Sequence, residues 1–237
     1  MRRIAILLAL LIVLAVLIAA ATLTANWHYA VPVAPGALAY AATFDDLLTD
    51  WDQNPGRLSA QAVDGVLRLT IGDTNDGLYS AARPFFSDFD LRLQARAVEG
   101  PDDNGYGVIF RLHDRYDDHP LLSDDFLNNV VVRRLVELNE RYNYYMFLVS
   151  SDGFYQVARV LDGGEKVLST WIESPLVNNG IGAQNDLRVV AHGDEFQFFI
   201  NGTQVELCIP DDPNAQSTYR LGECLGGQMV ETLVDDS

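Results

Sequence analysis

Positive charge is scarce in this sequence. Lysine and arginine number 16 against 33 aspartates and glutamates, which leaves a formal charge of -17 at pH 7. That balance excludes the electrostatic footprint of a nucleic-acid-binding protein and works against adhesion to anionic membrane surfaces. Histidine is sparse too. The four present are scattered, and none forms a ligand-spaced cluster with the cysteines, so no zinc site is expected. Motifs for cofactors and nucleophilic catalysis are missing. There is no phosphate-cradling Gly-rich loop, no G-x-S-x-G elbow and no H-E-x-x-H, and no cofactor is expected. Calcium is the one ion with a conceivable place. The run Gly100-Pro101-Asp102-Asp103-Asn104-Gly105 and the acids Asp114, Asp117 and Asp118 carry the oxygen ligands it takes, although a polar loop is the simpler reading of both.

Cysteine appears only twice, as Cys208 and Cys224. No C-x-x-C pair suggests thiol exchange. Whether the two pair depends on the compartment, and the N-terminus speaks to that. Arg2 and Arg3 precede an uncharged apolar run from Ile4 to Ala25, long enough to cross a bilayer as one helix. The arginines would hold its start on the cytoplasmic side and send the rest of the chain across. Residues 1–25 therefore read as a single-pass transmembrane anchor with an extracytoplasmic C-terminal body. A cleaved signal peptide, and hence a secreted protein, is the rival, given the small residues Ala19, Ala21 and Ala25. In either case the cysteines meet an oxidising space, where a pair this close should join. Closing that loop would add about 3 kcal/mol in the chain-entropy model.

Residues 26–42 form a Pro- and Ala-containing spacer, with Pro32, Pro35 and Gly36 opposing a continuous helix. From Thr43 onward the chain reads as strands between Gly, Asn and Asp turns. Asp64-Gly65 separates 57–63 from 66–71, a strong hairpin signal. Residues 89–98 alternate, and 106–112 suggest a central strand. Ser151-Asp152-Gly153 joins 144–150 to 154–161. Gly163-Gly164 leads into 165–171, His192-Gly193-Asp194 joins 187–191 to 195–200, and Asn201-Gly202 turns into 203–207. Sequential hairpins with half-buried alternation predict an all-β antiparallel sandwich in one domain, residues 43–237. Residues 121–140 break the rhythm. Ser123 could cap a helix there, with Leu127, Val131, Leu135 and Leu138 on one face, so a helical insertion is expected.

Acidic pairs are abundant without marking a site. Glu137 and Glu140 would share one helix face, and Glu165 and Glu173 straddle a strand; a glycosidase needs two carboxylates opposed across a cleft. The aromatic residues carry more information. Tyr145, Tyr155 and Trp171 fall on neighbouring hairpin elements with Arg111 in reach of the same sheet. Exposed rings can stack on the apolar faces of sugars while an arginine supplies directional donors. Arg111, Tyr145, Tyr155 and Trp171 are thus the ligand-binding candidates, unless the rings fill the core.

The order Y-G-V-I-F-R at 106–111, N-Y-Y-M-F-L-V-S-S-D-G-F-Y at 143–155 and F-F-I-N-G at 198–202 resembles concanavalin A-like jelly rolls. The nearer likeness is to the 3-keto-disaccharide hydrolase domain and its laminin-G-like cousins. F-x-x-x-x-x-x-W at 44–51, V-x-G-x-L at 63–67 and N-D-L-R-V at 185–189 fit the same pattern. The resemblance implies a jelly roll over residues 43–236 that either binds glycans or other envelope components without catalysis, or acts on glycosides. A structural or protein-binding surface domain is the third reading. The E-x-D-x-x-E pattern of laminarinase-type jelly rolls is absent, which weakens the enzymatic reading. Two departures stand out. A long segment intervenes between Leu112 and Asn143, and the expected final strand, 228–233, is followed only by Val234-Asp235-Asp236-Ser237. The expectation is an incomplete sandwich with an exposed edge.

Overall fold

The computed structural model describes residues 6, 10–17, 29–45, 50–53, 58–72, 77–113, 143–161 and 164–235. These residues fall into two compact units, with the boundary between Phe86 and Ser87. Antiparallel β-structure dominates, as the alternating pattern predicts. In the apolar N-terminal run, residues 10–17 are helical and exposed. No helix among the described residues is long and apolar enough to cross a membrane. The expected insertion at 121–140 lies outside the described residues.

In the first unit, β1 (Tyr29–Ala30), β2 (Leu58–Val63), β3 (Val66–Ile71) and β4 (Pro84–Phe85) form two small pairs. β1 runs parallel to β4. β2 and β3 make the expected hairpin, with Val63 opposite Val66. Its turn residues Asp64 and Gly65 have φ of 52° and 76°. Two consecutive left-handed residues follow the twist of the flanking strands, and Asp-Gly adopts them readily. Ala60 and Ala62 are buried on β2. Trp51 bridges Ala82 and packs edge-on against Phe44 at 5.7 Å.

The second unit holds β5 (Phe89–Ala95), β6 (Gly105–His113), β7 (Asn143–Ser150), β8 (Phe154–Leu161), β9 (Gly164–Glu173), β10 (Asn185–His192), β11 (Glu195–Ile200), β12 (Thr203–Gln204), β13 (Leu207–Pro210), β14 (Tyr219–Arg220), β15 (Glu223–Cys224), β16 (Gly227–Val230) and β17 (Leu233–Val234). Two sheets face each other. One has the order β12-β11-β10-β5, with β17 also on β11; the other runs β6-β7-β8-β9. Alternation along β7 turns Tyr145, Phe147 and Val149 inward. They meet Leu187, Val189, Phe196, Phe198 and Ile200 from the opposing sheet in one continuous core. Phe110 against Phe196 and Phe147 against Phe198 close the gap, with ring centroids 5.4 and 5.0 Å apart. Burial of such side chains contributes about 1.5–3 kcal/mol each, which makes this layer the main source of stability.

Three expectations are corrected here. The strand read as central, β6, ends its ladder, because its only partner among the described strands is β7. The run 203–207 divides: β12 stays on β11, whereas Leu207 starts β13, which pairs with β16. The run 228–233 divides in the same way, with β16 on β13 and β17 returning to β11. Each segment serves two ladders, so a single period-2 reading merged what the fold separates. The last strand is tied down firmly. Leu233 is buried, and the Asp235 amide donates to Asp194 O at 3.0 Å.

The expected disulfide is present. Cys208 on β13 and Cys224 on β15 are bonded, with Cα atoms 5.3 Å apart. The Cys208 amide donates to Ser169 Oγ at 3.0 Å, and Ser217 Oγ donates to Cys208 O at 2.6 Å. The bridge therefore fastens the β14–β15 hairpin to the floor of the core.

Candidate functional site

The four ligand-binding candidates do not converge. Tyr145 and Tyr155 point into the core and are 8% and 4% exposed. Tyr145 stacks on Phe110 at 5.4 Å and touches Phe196 at 4.9 Å. Burial, with the Asp235 charge adding to it, pushes its hydroxyl up to about 12. The Tyr155 hydroxyl donates to Glu206 O at 2.6 Å, and burial raises its pKa as well. Neither ring offers a face to a ligand. Their phenol groups anchor core packing instead, the Tyr155 oxygen on Glu206 O and the Tyr145 oxygen on the Asp235–Arg159 pair.

Arg111 serves as a clasp. The ladder between β6 and β7 shifts register between Phe110 and His113, and Arg111 sits in that irregularity with φ of 52°. The conformation swings its guanidinium over the Phe196 ring, 5.3 Å from the centroid. Its Nη2 donates to the carbonyl oxygens of Ser87 and Gly193 and lies 3.9 Å from Asp88. The Gly193 amide donates to Asp88 at 2.9 Å, and His192 Nδ1 lies 3.0 Å from the same carboxylate. That amide bond, followed by His192 and Arg111, holds the Asp88 carboxyl below the usual carboxylate range. Arg111 thus secures the start of β5 to the β10–β11 turn through its Nη2, which is committed to backbone.

Trp171 is different. It faces outward, because its neighbour Ile172, paired with Tyr155, points inward with Leu168 into the core. The indole lies across the outer face of the four-stranded sheet, from edge strand β9 to edge strand β6. A Cβ added at Gly105 would sit 3.1 Å from the indole Cη2 and 3.3 Å from Leu148 Cδ1. Glycine at 105 therefore leaves room for the ring, and Trp171 stays partly exposed.

Two residues further on the same edge, Glu173 enters an open depression of about 370 Å³ lined by Asp152, Gly153, Glu173, Ser174, Pro175 and Asn179. The β7–β8 turn forms one wall. Ser150 Oγ donates to the Asp152 carboxylate, and the Asp152 amide donates to Asp102 O at 3.0 Å. Gly153, with φ of 102°, allows close approach of Asn179, whose side chain occupies the place a Cβ would need. Ser174 and Gly180 amides bond back to Gly153 O and Ser151 O at 2.9 and 2.7 Å. The rim offers carboxylate acceptors, an amide with both donor and acceptor, and a hydroxyl, two residues along β9 from the partly exposed Trp171. Among the described residues no histidine, cysteine, lysine or arginine lines it. Among the described residues no group of three or more His, Cys, Asp or Glu gathers as a metal would require.

Of the residues on this edge the sequence points to Trp171 as a candidate, and not to Asp152, Ser174 or Asn179. Glu173 was noted only as one acid of a spaced pair. Its place two residues after Trp171 was the available signal, because period 2 puts both on one face. Asn179 carried none, since only the folding back of the 174–184 loop brings it to Gly153. Compared with family models, with curated proteins and with solved structures, the chain matches none.

Proposed function

We propose that this chain is an extracytoplasmic recognition module of jelly-roll type, held at the membrane by residues 4–25, that binds a neutral glycan at the Trp171 face. The observation carrying this reading is the partly exposed Trp171 on the outer face of the sheet, near a depression rimmed by Asp152, Glu173, Ser174 and Asn179. A sugar presents alternating C–H faces and hydroxyl edges. An aromatic platform flanked by fixed acceptors and an amide complements both. The motif resemblance to concanavalin A-like domains supports the same class. A broad array of neutral oligosaccharides, probed with the full chain in detergent, tests it. Trp171→Ala should weaken binding by about tenfold, since a lost aromatic contact of this kind is worth about 1–1.5 kcal/mol. Glu173→Gln should weaken the same ligand. Failure of every neutral glycan to bind, or binding that ignores both substitutions, refutes the proposal.

A glycoside-acting enzyme is the second reading, favoured by two carboxylates, Asp152 and Glu173, in one depression. Release of a sugar from the bound glycan, abolished by Glu173→Gln, would establish it over simple recognition.

A further inference from the structure

Donors and acceptors are unequal in the depression near Trp171. Its lining side chains are those of Asp152, Glu173, Ser174, Pro175 and Asn179, and Gly153 adds backbone. Asp152 and Glu173 are acceptors only, and no base stands among the lining residues. Three backbone donors of the rim are already committed. The Asp152, Gly153 and Ser174 amides bond to Asp102 O, Ser150 O and Gly153 O at 3.0, 3.2 and 2.9 Å, and Pro175 has no amide proton. Ser174 Oγ accepts the Leu176 amide at 3.2 Å, which leaves its hydroxyl proton. Among the lining side chains, Asn179 Nδ2 is therefore the one nitrogen donor.

The Asn179 carboxamide is unspent, and its backbone is held. It has no hydrogen-bond partner among the described residues. On one side, the Asn178 amide donates to Asn185 Oδ1 and Asn178 Nδ2 to Gln184 O, both at 2.8 Å, and Asn185 is fully buried. On the other, the Gly180 amide donates to Ser151 O at 2.7 Å. Between these anchors the carboxamide packs against Gly153, where an added Cβ would sit 2.7, 3.1 and 3.2 Å from Oδ1, Nδ2 and Cγ. A polar group on an anchored backbone, spent on no internal bond, is preorganised for a ligand.

From these observations we infer that Asn179 is the specificity-determining residue of this depression and restricts it to sugar edges with adjacent, unsubstituted hydroxyls. The inference rests on the reading of the Trp171 face as a glycan site. At such an edge one hydroxyl oxygen accepts from Asn179 Nδ2, while its proton and that of its neighbour go to the Asp152 and Glu173 carboxylates. An O-methyl or O-acyl group removes the protons these acceptor-only groups require and leaves them desolvated without partners. A uronate, sulfate or phosphate sets negative charge against two carboxylates with no base to offset it.

Binding of the full chain in detergent to maltohexaose, cellohexaose, mannohexaose and xylohexaose, each native and per-O-methylated, tests it. At least one native hexasaccharide should bind, more weakly to Trp171→Ala. Its per-O-methylated form should lose about tenfold or more, although the C–H faces that stack on an aromatic ring remain. Asn179→Ala should weaken the native ligand about 3- to 10-fold, the effect of one neutral hydrogen bond. Asn179→Asp should weaken it further, because a third acceptor-only group replaces the donor. The Tm of Asn179→Ala should stay within about 2 °C of the parent, since no bond within the fold is lost; a larger fall would mean that the carboxamide serves the fold and would overturn the inference. If a native hexasaccharide binds through Trp171, but its methylated form or the two Asn179 variants bind equally well, the inference is overturned and the Trp171 reading stands. If no hexasaccharide binds, or Trp171→Ala changes nothing, that reading fails and the inference with it.

Discussion

Asp235→Asn tests how the end of the second unit is held. Arg159 Nη1 donates to both carboxylate oxygens of Asp235, at 2.7 and 2.6 Å. The two side chains are only 10% and 12% exposed, and the Tyr145 hydroxyl shares the carboxylate. Burial works to lower the Arg159 pKa, but the Asp235 bond prevails and raises it. Removing the carboxylate charge leaves two outcomes. If β17 stays in place, an uncompensated guanidinium remains buried, at about 3–5 kcal/mol. If β17 detaches so that water reaches Arg159, the loss is the burial of Leu233, about 2 kcal/mol, plus its ladder bonds to β11. The cheaper outcome prevails, so the substitution should destabilise by about 2–4 kcal/mol and lower Tm by roughly 5–15 °C. Chemical denaturation gives the magnitude. Hydrogen exchange at the Asp235 amide distinguishes the outcomes, because fraying abolishes its bond to Asp194 O. Arg159→Met with Asp235→Leu should restore much of the loss, since two apolar groups leave no buried charge. An alkaline arm follows from Tyr145. Its folded pKa, about 12, lies above the ordinary 10, so its contribution is complete below pH 10 and disappears as pH rises through 12. Asp235→Asn should move that decline to lower pH, because one cause of the upward shift is gone. An Asp235→Asn protein within about 0.5 kcal/mol of the parent, the range of an ordinary surface change, would refute the buried-pair reasoning.

Two further outcomes follow. Reduction of Cys208–Cys224, or its replacement by paired alanines, should cost about 3 kcal/mol for a loop of this length, read as a shift of the denaturation midpoint; intact mass with and without reductant checks the bond. Asp90 bridges Arg188 and Arg92, with Asp90 Oδ1 2.7 Å from Arg188 Nε, and these bonds lower its pKa from 3.8 to about 2. Its stabilisation is therefore present above pH 3.8 and lost as pH falls through 2; solvent screening at this exposed site limits it to about 1 kcal/mol, so Asp90→Asn should flatten the acid limb of the stability curve by that amount.

Strand positions and hairpins could be read from residue order because their causes are local. Asp64-Gly65 and Asn201-Gly202 supply left-handed turn residues, and alternation along 144–150 and 195–200 places every second side chain on one face. The Cys208–Cys224 bond was legible for a simpler reason, that only two cysteines exist. Which face is wet was not legible. Period 2 groups Tyr145 with Phe147 and Val149, but it carries no sign, and only the opposing sheet with Phe196 and Phe198 makes that group the interior. Trp171 escaped the same fate because Leu168 and Ile172, its alternating neighbours on β9, are the residues that join the core. Arg111 sits in a left-handed irregularity of β6 that turns its Nη2 toward Ser87 and Gly193, a conformation alternation does not register. Contacts such as Arg159 with Asp235, or β5 with β10, join distant stretches, and no local propensity encodes a distant partner. They exist because closing the two sheets brings those groups together in a space that excludes water, where an unpaired charge or an unpaired strand edge would be costly.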